Sequence, residues 1–293
     1  MTPFLPREIP LPPLPELVRA VRENRDGLNM NEVVGRCDIL FLCLDTLRWD
    51  AAFAEQESGG TPVLNRYGPW EKRGASGNFT YPSHHAMFIG FLPTPLGPVP
   101  MTKKRMLFFP RGIGMGRFAP PKAFAFDEPT FIQGLERAGY ETVCIGGVAF
   151  FNKRTAIGRV FPSMFRHSYW QPDFGCTHRK STDHQVSKAL EALAALPREK
   201  RIMMYINISA IHYPNRYFVK GAKEDSLATH AAALRYVDRC LAPLFEAFKA
   251  RNETFVIACS DHGSCYPESD GGYLFHAFNH EVTNTVPYKH FFL

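Results

Sequence analysis

Two apolar runs, more than two hundred residues apart, each end on a carboxylate, and this pairing limits the fold more than any other feature. Ile39-Leu40-Phe41-Leu42-Cys43-Leu44 stops at Asp45, and Phe255-Val256-Ile257-Ala258-Cys259 stops at Ser260-Asp261-His262. Short runs with no polar alternation are the pattern of strands buried on both faces of a parallel sheet. The segments between them support that reading. Glu141 to Ile145 and Arg201 to Ile208 repeat the apolar strand pattern. Helical spacing appears at Pro129–Ala138, from Ser181 to about Leu196, and at Ala228–Arg251. The last of these presents Leu234, Val237, Leu241, Leu244, Phe245 and Phe248 as one stripe and carries Pro243 as an expected kink. Repeated helix–strand alternation predicts an α/β fold, a mostly parallel sheet with helices on both faces. In such sheets ligands gather beyond the C-terminal ends of the strands. Asp45, Gly146, His212, Asp261 and His262 all fall there.

The remaining segments read as connections. Residues 1–36 form a Pro-rich arm followed by a short amphipathic helix at Glu16–Arg25, and 37–293 form the main domain. Residues 93–128, with prolines and the basic triplet Lys103-Lys104-Arg105, read as a long surface excursion, and 150–180 as an aromatic loop. Thr61-Pro62-Val63-Leu64 reads as a helix start, His84–Phe91 as a buried helix, and the segment after His262 as loop.

Composition excludes several classes. The net charge of +6 is spread along the chain rather than gathered in a stripe, so no nucleic-acid partner is expected. No apolar run approaches the ~20 residues of a membrane helix, and the N-terminus lacks a basic and then apolar leader. Seven cysteines without framework spacing point to reduced thiols, and the expected setting is cytoplasmic. The sequence sets no oligomeric state.

Between the two carboxylate-ending runs lies Gly77-Asn78-Phe79-Thr80-Tyr81-Pro82-Ser83-His84-His85. Taken alone, Thr80 suits a helix N-cap and Asp261-His262-Gly263 suits a turn. Together they offer a hydroxyl beside hard and borderline metal ligands. A divalent cation favours the alkoxide of a hydroxyl that is a weak nucleophile at its own pKa.

The set Leu44-Asp45-Thr46-Leu47-Arg48-Trp49-Asp50, Thr61-Pro62-Val63-Leu64, Thr80-Tyr81-Pro82-Ser83-His84, Ser260-Asp261-His262-Gly263 and Val286-Pro287 resembles the alkaline phosphatase superfamily. The likeness covers residues 37–293 and is to sulfatase-like hydrolases, nucleotide pyrophosphatase/phosphodiesterases and phosphoethanolamine transferases. It is strongest to small soluble sulfatase-like hydrolases often encoded near radical SAM enzymes. The resemblance implies an alkaline-phosphatase-like core, with Thr80 as nucleophile and Asp45, Thr80, Asp261 and His262 around one divalent metal. Zn²⁺ suits these ligands, with Mn²⁺ as the alternative. It further implies catalytic roles for His212 and His276. His84, Lys153 and His280 are candidates for substrate contact, His280 also competing for the place of His276. His84 and His85 can instead hydrogen-bond locally.

Departures narrow the chemistry. Formylglycine-dependent sulfatases need cysteine or serine where Thr80 stands. Thr46 replaces a second aspartate, His84 an arginine, and Gly147 a lysine, for which Lys153 or a basic residue of 103–117 is the substitute. The expectation is metal-dependent hydrolysis or transfer of a phosphate ester, best a diester, through phospho-threonine, on a small-molecule or peptide-linked anionic ester. Sulfate-ester hydrolysis without formylglycine and a non-catalytic binding protein for an anionic or peptide ligand are the alternatives.

Overall fold

The computed structural model describes residues 13–22, 28–92 and 129–293, plus the backbone of 107–108 and 124–125. Most of the 93–128 excursion, its basic residues included, lies outside the described residues, as do most of the N-terminal arm and residues 23–27. In chain order the elements begin with α1 (Leu14–Arg22), β1 (Asp38–Leu44), α2 (Trp49–Glu57), β2 (Glu71–Gly74) and α3 (Thr80–Ile89). Next come β3 (Leu107–Phe108), β4 (Phe124–Ala125), α4 (Phe131–Arg137), β5 (Glu141–Ile145), β6 (His167–Tyr169) and α5 (Ser181–Ala195). The chain closes with β7 (Ile202–Ile208), α6 (Leu227–Arg251), β8 (Thr254–Cys259), α7 (Glu281–Asn284) and β9 (Thr285–Phe292).

Seven strands form one sheet in the order β2-β9-β8-β1-β7-β5-β6. Strands β8, β1, β7, β5 and β6 run parallel, and β9 pairs antiparallel with both β8 and β2. Alternate side chains of β1 serve two cores, which is why that strand carries no polar alternation. Leu40, Leu42 and Leu44 pack with Val186, Ala189 and Leu193 of α5 and Leu234, Val237 and Leu241 of α6. Ile39, Phe41 and Cys43 pack with Leu17 and Val18 of α1, Phe88 of α3, and Ile132 and Leu135 of α4. Each such apolar side chain contributes about 1.5–3 kcal/mol on burial, so both layers are firmly held. All six residues of the expected α6 stripe are buried, and α6 stays helical across Pro243.

Several elements differ from the sequence expectation. The buried helix starts at Thr80 rather than His84, because Pro82 falls in the first turn, where its missing N–H has no intrahelical partner to lose. The Thr61 segment forms a 3-10 turn at Leu64–Tyr67, and the chain end read as loop becomes β9. Pro287 is tolerated in β9 beside the short edge strand β2. Strands β2 and β6 and helix α2 were not expected from the pattern. All seven cysteines are free thiols.

Candidate metal and nucleophile site

Sheet register brings the two carboxylates level. β1 lies beside β8 with Cys43 opposite Cys259, so Asp45 and Asp261, each two residues further on, leave the sheet side by side. On the other flank of β1, Cys43 pairs with Asn207 of β7. The Asn207 amide donates from Nδ2 to Asp45 Oδ2 (2.8 Å) and accepts the Val148 N–H at Oδ1 (2.9 Å). Gln185 of α5 donates to the Asn207 carbonyl at 2.6 Å, so a buried chain of amides fixes Asp45. Asn207 escaped the sequence reading. Its signal was there, as the polar residue in the otherwise apolar run Ile202-Met203-Met204-Tyr205-Ile206-Asn207-Ile208.

Asp261 is fixed from the backbone. Its Oδ1 accepts the N–H groups of Thr46 (3.1 Å) and His262 (3.0 Å). Thr46 reaches this position with φ of 65°, a left-handed conformation that costs a β-branched residue on the order of 1–3 kcal/mol. Thus Thr46, where the family pattern has a second aspartate, serves Asp261 through its N–H. Arg48 ties the same loop to the segment after His262. Its guanidinium pairs with Asp270 (2.6 Å) and Asp50 (2.5 Å), and its N–H donates to His230 Nε2 (3.3 Å). Burial beside Arg48 pushes His230 down to about 3, so that ring stays neutral and acts as acceptor.

Thr80 opens α3. Phe79 occupies the cap position and offers no side-chain hydrogen bond there, so the Thr80 hydroxyl is not consumed as a cap. Its Oγ1 instead lies 3.4 Å from His262 Nε2. The positive end of the helix dipole points at the same place, which favours negative charge there.

His262 donates from Nδ1 to the Gly263 carbonyl (3.0 Å), which leaves the lone pair on Nε2. That lone pair faces Asp261 Oδ2 at 3.3 Å. Burial lowers the His262 pKa, so the ring stays neutral. Asp261 Oδ2 and Asp45 Oδ1 are buried with no hydrogen-bond partner. One ligand atom from each of Asp45, Asp261 and His262 lies within 4.8 Å of the other two. The one hydroxyl proton of Thr80 cannot satisfy all of these acceptors, and such a cluster is unfavourable unless a cation joins it. The 3.3 and 3.4 Å separations match the roughly 3.3 Å edge of a tetrahedron around an ion with ligand bonds of about 2.0–2.1 Å. The residues therefore fit a tetrahedral divalent ion such as Zn²⁺.

Asp45 has its pKa raised well above the carboxylate range by burial and by Asp261, against the pull of the Asn207 amide and the Thr80 hydroxyl. Cys43, His84 and Asp261 also approach one another within ligand reach. Burial keeps the Cys43 thiol protonated, however, and His84 is already engaged. His84 donates from Nδ1 to the Thr80 carbonyl (2.7 Å), and its Nε2 is paired with the Tyr205 hydroxyl. It is wholly buried, so the structure corrects His84 from a substrate contact to a brace for the nucleophile helix.

The partly exposed histidines line the approach. The ring of His276 lies 4.5 Å from that of His262 and 5.3 Å from that of His212. His212 donates from Nδ1 to the Tyr213 carbonyl (2.7 Å), and His276 Nδ1 is hydrogen-bonded to the Ser264 hydroxyl (3.0 Å). Burial, with His262 and His212 adding to it, lowers the His276 pKa. Burial opposes charge on His212 too, but a hydrogen bond to Cys176 and the Tyr213 carbonyl outweigh it and raise its pKa. Cys176 was another residue the sequence did not single out. His280 instead caps α7, accepting the Val282 N–H at 3.2 Å, so the place beside His262 belongs to His276. Lys153 is corrected as well. Its Nζ donates to the Ser168 carbonyl (2.7 Å) and hydroxyl (3.0 Å), so it does not stand in for the lysine missing at Gly147.

A family profile described as Sulfatase matches residues 38–287. Among solved structures, the soluble domain of lipooligosaccharide phosphoethanolamine transferase A from Neisseria meningitidis superposes with a TM-score of 0.60 at 16% identity, covering 88% of this chain and 76% of that one. The C-terminal periplasmic domain of EptC from Escherichia coli in complex with Zn gives 0.57 at 14% identity, covering 87% and 72%. The lipoteichoic acid synthase LtaP from Listeria monocytogenes gives 0.58 at 12% identity, covering 94% and 71%. At these identities the superpositions speak for the fold alone. No curated protein matches in sequence.

Proposed function

This chain belongs to the sulfatase family, which supports a hydrolase or transferase of phosphate or sulfate esters, and from that premise we propose that Thr80 is the nucleophile of a metal-dependent phosphodiester hydrolase or transferase. The carrying observation is the convergence of three acceptors, from Asp45, Asp261 and His262, on the single hydroxyl of Thr80. Asp45, Thr80, Asp261 and His262 would hold one Zn²⁺, and when bound it supplies Lewis acidity that favours the Thr80 alkoxide. The Thr80 oxygen forms a bond to phosphorus in line as the bond to the leaving alcohol breaks, and the hydroxyl proton passes to solvent. His212 has Nδ1–H committed to Tyr213 and its other nitrogen engaged by Cys176, and it gives up the Cys176 bond to protonate the leaving oxygen from Nε2. Neutral His212 then takes a proton from water or an acceptor alcohol as that group attacks phosphorus and releases Thr80. His276 and the N-terminus of α3 steady the non-bridging oxygens.

The substrate charge follows from the cations. Arg48 is committed to Asp50 and Asp270, Lys289 to the carbonyls of Leu64 and Gly68, and Lys153 to Ser168. Among the described residues that leaves one ion and the protonated His212 beside otherwise neutral imidazoles, which suits a monoanionic ester. That favours a phosphodiester over a phosphomonoester dianion. Monoanionic sulfate esters fit the same charge, but a threonine cannot be converted to formylglycine, so phosphoryl transfer is preferred.

Thr80→Ala should lower turnover of a chromogenic phosphodiester by at least about 10³-fold, since the covalent route is lost. Elemental analysis should still find metal in that variant, because three ligands remain. Activity within tenfold of the parent would refute the nucleophile. A pH–rate profile gives a second test. His212 acts as the acid, so activity should hold below its pKa and decline as pH rises through it. That alkaline limb should lie above the ordinary histidine value of 6.5. His212→Asn should remove the limb and lower kcat by roughly 10²–10⁴-fold.

A further inference from the structure

Thr80 is only 2% exposed, and Asp45, Asp261 and His262 are still more enclosed. Of the residues assigned to the site, His212 and His276 reach solvent, so an ester approaches along them. Both have an aromatic neighbour in the chain, Tyr213 after His212 and Phe275 before His276. These two rings meet with centroids 4.5 Å apart, and the Phe275 N–H reaches the Tyr213 hydroxyl at 3.3 Å. Phe275 is nonetheless 47% exposed, next to Leu274 at 45% and Tyr273 at 54%.

Three consecutive large apolar residues in water, bordering a functional histidine, are an unusual surface. The backbone holds them there under strain. Phe275 has φ of 73°, a left-handed value that bulky side chains avoid, and Ala277, two residues on, has φ of 70°. Phe275 is pinned by a reciprocal backbone pair with Cys265, at 2.7 and 3.1 Å. Ala277 donates to the Asn78 carbonyl at 2.8 Å, two residues before the nucleophile. The rim is thus fastened both to the segment after the metal ligands and to the nucleophile turn.

We propose that Tyr273, Leu274 and Phe275 form a subsite for an apolar substituent, alkyl or aryl, of the bound ester. This rests on the reading of Thr80 and its neighbours as the site where the ester's anionic group binds. A fully buried methylene is worth about fourfold in affinity, so a hexyl chain lying across a half-open rim should gain at least about tenfold over methyl. Methylphosphonate, hexylphosphonate and phenylphosphonate provide the probes, titrated into the Zn²⁺-loaded protein by calorimetry at about pH 6, where all three are largely monoanions. Hexyl- and phenylphosphonate should bind at least about tenfold tighter than methylphosphonate. Leu274→Ser and Phe275→Asn, the latter suited to a left-handed φ, should cut that ratio to about twofold with methylphosphonate affinity unchanged; Tm should hold in Leu274→Ser and shift by a few degrees at most in Phe275→Asn, where the lost ring contact with Tyr213 offsets the relieved strain. Equal affinities in the parent, no binding of any probe, or a ratio that persists in both variants would overturn the subsite. Turnover of hexyl and methyl p-nitrophenyl phosphates is read separately. Selective binding without turnover would sink the nucleophile reading and leave the subsite standing, whereas turnover without selectivity would do the reverse.

Discussion

Stripped of metal, the Asp45→Asn protein should melt at a higher temperature than the stripped parent, and Zn²⁺ should reverse that order. Asp45 sits buried beside Asp261 with one oxygen lacking any donor. Its folded-state pKa is raised above the ordinary 3.8 by burial and by Asp261. The sign follows from linkage. A carboxyl whose pKa rises on folding gives its full stabilisation below the unfolded value and loses it as pH climbs through the folded value. Between pH 4 and pH 7 the metal-free protein must therefore either keep a proton on Asp45 or hold two buried charges side by side, and both cost stability relative to the unfolded chain. An asparagine keeps the partner for Asn207 and adds an N–H among acceptors that otherwise share only the Thr80 hydroxyl. The gain should be on the order of 2–4 kcal/mol, the scale of an uncompensated buried charge. For a domain of this size that is roughly 5–10 °C in Tm. The gap should widen from pH 4 to pH 7. In Zn²⁺ the parent gains binding free energy, about 4.1 kcal/mol at a thousandfold excess over Kd and enough to reverse the order, that the variant largely forfeits. Scanning calorimetry in chelator and in Zn²⁺ at both pH values reads all of this. Destabilisation of the variant under both conditions would make Asp45 a structural carboxylate and remove the basis for the metal.

The parts of the site legible in the sequence share one cause. Asp45, Asp261 and His262 follow directly on buried strands, and in a parallel sheet the end of each strand is placed by the strand itself. The core was legible for the same reason, since Leu40 and Phe41 must both be buried for β1 to run unbroken by polar residues. What escaped depends on long-range contacts. β9 looks irregular because Pro287 and Lys289 interrupt its apolar pattern. Yet β9 completes its hydrogen bonds against β8, while Lys289 is satisfied by the Leu64 and Gly68 carbonyls. Asn207 and Cys176 matter only because β7 adjoins β1 and because the segment before α5 returns to His212. Lys153 and His280 show the opposite error. Residue type and proximity in sequence suggested roles at the site, but each side chain is turned to a local partner.

Restoring the family's lysine at position 147 should damage the protein rather than improve it. The family resemblance of the sequence invites Gly147→Lys, because a basic residue near the transferred group would help stabilise its charge. The space forbids it. A Cβ on residue 147 would fall 2.2 Å from the Asn207 carbonyl oxygen, 2.7 Å from Asn207 Oδ1 and 2.9 Å from Ser209 Cβ. The first two are groups already committed, to Gln185 and to the Val148 N–H, so neither can swing aside at low cost. The Gly147 carbonyl also accepts the Trp170 indole N–H at 2.9 Å, which holds its own strand end in place. Relief must therefore come from moving the end of β7, and Asn207 would carry Asp45 with it. Gly147→Ala alone should cost about 3 kcal/mol, at the upper end for overpacking, and roughly 5–10 °C in Tm. Metal affinity should drop at least about tenfold, because a shift of a few tenths of an ångström in Asp45 spoils the ligand spacing. Gly147→Lys should show the same losses with no gain in turnover. Calorimetry and a Zn²⁺ competition titration on both variants decide the matter. Unchanged stability in Gly147→Ala, or a faster Gly147→Lys enzyme, would mean that the end of β7 yields easily and that this chain lacks only the side chain, not the room for it.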